Sequence, residues 1–417
     1  MRALLRLAWA SLWNRRFTAA VTIATISLSV LLLLGVERLR HEARNSFLST
    51  VSGTDLIVGA RAHPVQLMLY SVFHMGDATN NVSWTSHQEV AKRPEVAWTV
   101  PISLGDSHRG YRVVGTTTGF FEHIRTGDER PLAFASGAAF DGLYDAVIGA
   151  EVAQALGYGL GEEIILAHGT GSFIAQKHDD RPFTVVGVLE RTGTPIDQSV
   201  HVSLEAIEAI HVNWRGGTRM GRAPDEIPPE RLQPRSITAF FVGLESRMAT
   251  FALQRAINEY RAEPLTAVLP GVALQQLWSM LGVVERALLL TAACVVAAGL
   301  LGMLAALLGT LSERRREMAI LRALGAGPAT VSLLLLLEAV LLTVVGLLLG
   351  LLLLHAGSAL AAPAIERSTG IALALGWPAA SEWRLMGLVL GAGSLIGLVP
   401  ALLTYRRSLA DGMMVRQ

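Results

Sequence analysis

The chain has 417 residues, of which 51% are hydrophobic and 17% are charged. This composition is typical of a membrane protein with a sizeable polar part. The formal net charge of +1 predicts no nucleic-acid partner, because such partners need a basic surface. The only cysteine, Cys294, excludes an intramolecular disulfide, so any exported part must be stabilised by its core.

Four segments reach the roughly 20 apolar residues that a spanning helix needs, namely residues 17–36, 287–311, 329–354 and 385–405. The first is longer than the apolar part of a usual signal peptide, and no A-x-A-like cleavage site follows it. We therefore interpret it as a retained anchor. Residues 37–286 contain no such segment and are long enough for a folded domain.

The charges predict the orientation, because arginine near a helix end stays on the cytoplasmic side. Arginines outnumber acids in residues 1–16, 312–328 and 406–417, whereas residues 37–286 carry 22 basic and 28 acidic residues. The loop 355–384 is balanced. Both termini and residues 312–328 are therefore predicted to be cytoplasmic, and the large domain to be outside.

Residues 1–16 form an amphipathic stretch with Trp9 and Trp13 four residues apart, as are Arg2 and Arg6. At helical spacing each pair shares a face. Such a helix lies along the inner membrane surface. Either it only anchors the first span or it also contacts a partner.

Strands and helices interleave in residues 37–286, which favours an α+β domain over a β-sandwich. Predicted strands are residues 55–58, 96–103, 111–116, 146–149, 163–167, 183–189, 199–202 and 238–243. Predicted helices are residues 150–156, 204–211 and 247–261. From about residue 270 a helix is predicted to run without a break into the second span.

Residues 62–75 are unusually apolar for an external loop. One interpretation is that they pack in the domain core, where most apolar runs lie. The other is a hairpin that faces lipid or substrate through Leu67, Leu69, Val72 and Phe73.

Small residues recur four positions apart in the last three spans, a spacing that allows close helix contact in lipid. Ordinary bundle packing and a dimer interface both explain them. The pairs are Ala298 and Gly302, Gly346 and Gly350, Gly387 and Gly391, and Gly393 and Gly397.

Glu338 is the only acid within the four spans. An ionisable residue in a span is a functional candidate by default. It is either a structural lock, paired with an arginine such as Arg322 or Arg406, or a proton or substrate site.

Catalytic motifs are missing. The sequence has no G-x-x-x-x-G-K-[ST] phosphate loop, no H-E-x-x-H and no C-x-x-C, so it predicts a chain that neither binds ATP in the P-loop manner nor catalyses a reaction. His178, Asp179 and Asp180 form the best local cluster of potential metal ligands, but the spacing of the candidate histidines matches no metal signature. We assign no metal site from the sequence and keep a metal-linked envelope system as an alternative. Those histidines are His168, His178, His201 and His211.

A charged segment separates the second and third spans. Gly325 and Gly327 are predicted to end its helix, and Pro328 suits the first position of the next one. Topology needs only positive charge, so the added glutamates and an apolar face favour a docking site for a soluble partner. The docking residues are predicted to be Glu313, Arg314, Arg315, Arg316, Glu317, Met318, Leu321 and Arg322.

At these residues the sequence resembles the FtsX-like/MacB-type permeases of ABC transporters. The stretch E-R-R-R-E-M-A-I-L-R-A-L-G-A at residues 313–326 is similar to their hallmark, and residues 337–346 fit their third span. The tail from Pro400 resembles their closing segment, although Asp411 stands where many members carry proline. External motifs resemble their extracytoplasmic core at residues 53–58, 147–156 and 183–188.

The resemblance implies a multi-pass protein of the bacterial inner membrane that works as a dimer, with two separately encoded cytoplasmic ATPase subunits that carry ATP and Mg²⁺. It also implies mechanotransmission, in which closure of the ATPases moves residues 312–325 and changes the shape of the external domain. No cofactor is expected on this chain. A periplasmic or outer-membrane partner is compatible with the same arrangement.

Two functions compete under this resemblance. The first is export or extraction of a hydrophobic or envelope substrate such as a lipid, lipoprotein, peptide or toxin. The second is FtsX-like signalling to an envelope partner without transport. The large external domain of residues 37–286 favours the first, because regulatory members usually have a smaller one.

Overall fold

The structure is a computed structural model. It describes residues 2–50, 52–127, 129–169, 178–215, 218–219, 227–311, 320, 325–369 and 376–413. The chain divides into two compact units. The helical unit takes in Met1–Glu42, Gly282–Ala364 and Leu373–Gln417, and the sheet unit takes in Ala43–Leu281 and Ile365–Ala372.

Eleven α-helices occur in the described part of the chain. They are α1 (Arg2–Asn14), α2 (Arg16–Ser49), α3 (Pro64–Ser71), α4 (Trp84–Ala91), α5 (Gly119–His123), α6 (Ala150–Leu156), α7 (Leu204–His211), α8 (Thr250–Asn258), α9 (Pro270–Leu311), α10 (Pro328–Thr369) and α11 (Ala380–Met413). Short 3₁₀ turns are Pro195–Gln198, Pro229–Arg231 and Arg247–Ala249.

The strands are β1 (Leu56–Ala60), β2 (Val82–Ser83), β3 (Val96–His108), β4 (Tyr111–Thr116), β5 (Arg125–Thr126), β6 (Arg130–Pro131), β7 (Phe134–Gly137), β8 (Asp145–Ile148), β9 (Glu163–Ile164), β10 (Ala167–His168), β11 (Phe183–Leu189), β12 (Ser199–Ser203), β13 (Trp214–Arg215), β14 (Thr218–Arg219), β15 (Ser236–Ile237), β16 (Ala239–Leu244) and β17 (Leu265–Val268). Most of them join one large sheet, and the others form three two-stranded pairs.

The large sheet organises the sheet unit. Its strand order is β17-β1-β16-β3-β4-β12-β8-β11-β7, with β10 paired to β3 and β9 to β11. Strands β12 and β4 run parallel, as do β8 and β11, and the other neighbours in the described sheet are antiparallel. Such a mixed sheet with interleaved helices confirms the predicted α+β class.

Helices cover both faces of this sheet. Successive residues of a strand point to opposite faces, so each strand contributes side chains to the core on both sides. In β1, Ile57 packs in a core cluster with residues of α3 and α5. Its neighbours Leu56 and Val58 pack in a second cluster with residues of α4 and α8. All three side chains are fully buried. A third cluster lies beneath α6 and α7.

Four helices of the described chain are long and apolar enough to cross a membrane. Their apolar stretches have mean hydropathies of 2.4, 2.4, 2.6 and 2.1, in chain order. Each predicted span falls within one of these four helices, and α9 continues from Pro270 to Leu311 as predicted. The stretches are Arg16–Arg44, Pro270–Gly309, Pro328–Ala362 and Ala380–Arg406.

The single strand predicted at residues 163–167 is wrong. The chain forms β9 and β10 there, which pair with different partners, β11 and β3. Between them the Leu166 carbonyl accepts a hydrogen bond from the His178 amide at 2.9 Å. The strand is therefore interrupted where the chain changes from one pairing partner to the other.

Candidate coupling site

The residues predicted to dock an ATPase all lie outside the described residues: Glu313, Arg314, Arg315, Arg316, Glu317, Met318, Leu321 and Arg322. Their role stays a prediction. The structure describes what flanks them, since α9 ends at Leu311 and α10 begins at Pro328.

The turn into α10 has the backbone that its sequence requires. Gly325 has a φ of +91°, in the left-handed region that favours glycine. Pro328 is the first residue of α10, where its missing N–H would have no helical partner anyway. The Gly327 carbonyl accepts hydrogen bonds from the amides of Thr330 and Val331 at 3.0 and 3.3 Å. A sharp turn therefore precedes the third long helix.

Glu338 lies in α10 with only 2% of its surface exposed. It lines a small cavity together with Arg15, Thr18 and Thr22 from the start of the chain. The arginine that shares this cavity is thus Arg15. Of the two arginines that we named from the sequence, Arg322 lies outside the described residues and Arg406 is an exposed residue of α11. Whether Glu338 is a structural lock or a proton or substrate site stays a prediction.

A buried ion pair in the helical unit was not foreseen from the sequence. Arg38 of α2 donates to Glu382 of α11 through Nε at 2.8 Å and Nη2 at 3.0 Å, which makes a bidentate pair. The side chains are only 6% and 2% exposed. Glu382 Oε2 also accepts the Ala379 amide at 3.1 Å, at the start of α11. This pair joins α2 to the first turn of α11.

Residues 62–75 do not present the apolar face that the alternative interpretation required. Leu67, Val72 and Phe73 are at most 7% exposed, and Leu69 packs against the same core cluster. These side chains fill the space between α3 and the sheet, so they are not available to lipid or substrate. Of the two interpretations of residues 62–75, packing in the domain core is the one that agrees with this burial.

The fold brings three of the four candidate histidines together, which their spacing in the sequence did not predict. His168, His178 and His211 converge on Asp106. His201 lies elsewhere, fully buried against Phe120.

Two family models match the chain. The MacB-like periplasmic core domain matches residues 19–260, and the FtsX-like permease C-terminal region matches residues 289–409. The chain belongs to the FtsX/MacB-type permease family. This confirms the resemblance drawn from the motifs. The permease components of this family work within ABC transporter systems and are generally non-catalytic.

Two solved structures are similar to this permease. The periplasmic region of MacB from Actinobacillus actinomycetemcomitans is 11% identical, with a TM-score of 0.34, over 55% of this chain and 94% of that chain. The extracellular domain of the noncanonic ABC-type transporter YknZ from Gram-positive bacteria is 13% identical, with a TM-score of 0.31, over 51% of this chain and 98% of that chain. No curated protein sequence matches the permease.

Glycines in the long helices of the permease fall into two groups. A Cβ added at Gly350 would lie 2.8 Å from Val30 of α2, and one added at Gly393 would lie 2.4 Å from Thr343 Oγ1 of α10. A Cβ added at Gly387 or Gly391 would meet nothing within 4 Å. Gly350 and Gly393 thus lie where two helices of one chain are in close contact, whereas Gly387 and Gly391 do not.

We expect Gly393→Ala to destabilise the helical unit by about 1–3 kcal/mol, because the new methyl group overpacks the contact with Thr343. Gly391→Ala is the matched control on the same helix. It gains helix propensity, worth up to about 1 kcal/mol, without a clash. Thermal unfolding of the full chain in detergent compares the two. Equal melting temperatures would mean that α11 does not pack on α10 in this way.

Proposed function

We propose that this chain is the permease subunit of an ABC transporter that couples ATP hydrolysis by a separate ATPase subunit to motion of its own external domain. The match of residues 289–409 to the FtsX-like permease model carries this proposal, because it takes in the predicted docking segment and the two helices that follow. The ATPase partner supplies ATP and Mg²⁺ binding. The permease itself supplies no catalytic group.

The proposed topology has four spans in the bacterial inner membrane. The arginine excess of residues 1–16, 312–328 and 406–417 supports cytoplasmic termini and a cytoplasmic docking segment. The match of residues 19–260 to a periplasmic core domain supports an external position for the sheet unit. Each proposed span lies in one of the long apolar helices.

Helix length supports mechanotransmission. At 1.5 Å per residue, α2 and α9, with 34 and 42 residues, are about 51 and 63 Å long. The hydrocarbon core of a bilayer is only about 30 Å thick. Each helix is therefore long enough to cross the membrane and to continue beyond it. Movement of the docking segment at the end of α9 would be transmitted along that helix.

The proposed substrate is a hydrophobic or envelope molecule such as a lipid, lipoprotein, peptide or toxin, handled outside the membrane. Glu338 is the only charged side chain in the predicted spans, which supports handling outside the membrane rather than passage through a charged pore. A second copy of the permease is proposed to complete the assembly, since members of this type work as dimers. Signalling to an envelope partner without transport remains the competing function.

The test is purification of the chain from native membranes with identification of everything that accompanies it. We expect a stoichiometric ATPase subunit and vanadate-sensitive ATP hydrolysis. An intact, correctly inserted chain that brings no ATPase would contradict the proposal. A soluble external partner that accompanies the complex only when ATP is present would favour signalling over transport.

A further inference from the structure

Four potential metal ligands meet in the sheet unit at a place that the proposed function does not use. Asp106, His168, His178 and His211 each offer one ligand atom, and these atoms all lie within 4.8 Å of one another. In a tetrahedral zinc site, with zinc–nitrogen distances of 2.0–2.1 Å, ligand atoms lie about 3.3 Å apart. Small side-chain movements would therefore complete such a site.

The backbone fixes these positions. His168 of β10 stands directly opposite Asp106 of β3 in the antiparallel register. His178 is anchored by its amide, which donates to the Leu166 carbonyl at 2.9 Å. His211 is the last residue of α7. Two strands, one helix and the segment that begins at His178 thus converge on one point, and the three imidazole rings lie within 5.1 Å of one another by their centroids.

His211 has a defined tautomer. Its Nδ1 lies 2.6 Å from the Ile207 carbonyl, so Nδ1 carries the proton and Nε2 carries a lone pair. A backbone carbonyl that receives the second ring N–H is the usual support of a metal-binding histidine. Nε2 of His211 faces inward, 4.0 Å from Asp106 Oδ1.

His168 lies between two groups that can each accept a hydrogen bond. Its Nδ1 is 2.9 Å from Asp106 Oδ1, and its Nε2 is 3.1 Å from His211 Nε2, which carries the lone pair of that ring. A neutral imidazole has only one N–H, so it leaves one of these two contacts between facing lone pairs. A metal ion bound in the cluster would resolve this conflict.

Burial distinguishes a metal site from a surface cluster of histidines. Asp106 and His178 are 4% and 0% exposed, whereas His168 and His211 are 33% and 28% exposed. The cluster therefore has a closed base and an open side through which an ion can enter.

We propose that Asp106, His168, His178 and His211 form a binding site for a zinc-class divalent transition metal ion. Three imidazole nitrogens and one carboxylate oxygen suit Zn²⁺, which accepts nitrogen and oxygen ligands in a tetrahedral arrangement. The ion joins β3 and β10 to the end of α7. This site is independent of ATPase docking and belongs to the sheet unit alone.

The experiment uses the full chain in detergent, purified through an affinity tag that contains no histidine and stripped with a chelator that is then removed. Co²⁺ is titrated first, because tetrahedral Co²⁺ gives an intense visible absorption, and Zn²⁺ is then added to displace it. We expect one Co²⁺ per chain with the tetrahedral spectrum and a Zn²⁺ dissociation constant in the micromolar range or below.

Two variants locate the ion, His168→Gln and His211→Gln, both at partly exposed positions. We expect each to weaken Zn²⁺ binding by at least about 100-fold. The control is His123→Gln, which removes a histidine of the same unit that stacks on Trp98 outside the cluster, and it should bind as the wild type does.

Circular dichroism checks that the variants are folded, and if one is not, the stoichiometry and spectrum of the wild type decide. Absence of micromolar binding by the wild type, a spectrum that is not tetrahedral, or unchanged affinity in both folded cluster variants would overturn the proposal.

Discussion

Replacement of Arg314, Arg315 and Arg316 by glutamate is expected to reduce permease-stimulated ATP hydrolysis at least tenfold or to release the ATPase altogether. Residues 312–328 carry four arginines and two glutamates, so the triple change turns a basic docking segment into a strongly acidic one. Like charges brought together at an interface cost several kcal/mol. ATP hydrolysis and the amount of ATPase recovered with the permease are both measured.

The two readouts separate two failures. Loss of the ATPase from the purified complex means that the arginines bind it. Retention of the ATPase with loss of stimulated hydrolysis means that they transmit its movement. The variant with lysine at all three positions keeps the charge but loses the bidentate geometry of arginine. It should therefore insert normally and keep part of the activity.

Topology must be controlled, because removal of arginines from a cytoplasmic loop also weakens the signal that orients the helices. Arg406→Glu with Arg407→Glu is the matched control, since it reverses charge in another predicted cytoplasmic segment. Protease accessibility of the sheet unit from the outside reports insertion. If the correctly inserted triple-glutamate variant still binds and stimulates the ATPase, the docking assignment is wrong.

Local pattern was sufficient wherever an element is defined by its own residues. Strands 111–116 and 183–189 were predicted with their observed ends, because β-branched residues and flanking turn residues determine them locally. The helix that runs from Pro270 into the second span was also predicted. Helix α3, in contrast, was not predicted as a helix, since its eight residues are mostly apolar and too few to show a helical period.

The candidate sites depend on contacts between elements that are far apart in sequence, and a local sequence pattern does not predict such contacts. His168 meets Asp106 only because β10 pairs with β3 in one register. A shift of that register by one residue would turn His168 to the opposite face of the sheet. The histidines could be recognised from the sequence as potential metal ligands. Their spacing matches no known metal-binding motif, so the sequence did not predict that three of them meet.

The same reasoning applies to Arg38 and Glu382, whose charges alone gave no reason to connect them. Their pairing makes a strong prediction. Arg38→Ala should destabilise the helical unit by about 3–5 kcal/mol, because it leaves the buried Glu382 carboxylate without its cation. In melting temperature this corresponds to a fall of roughly 6–20 °C, measured on the full chain in detergent.

Two further variants separate the effect of the pair from that of either charge. In Arg38→Met with Glu382→Leu, both charges are gone and apolar side chains of similar size fill the space, so most of the lost stability should return. Arg384→Gln removes an exposed arginine from the same turn of α11 and should change stability by less than about 0.5 kcal/mol. If the double variant is as unstable as Arg38→Ala, the loss comes from packing rather than from an unpaired buried charge, and the ion pair does not hold α2 to α11.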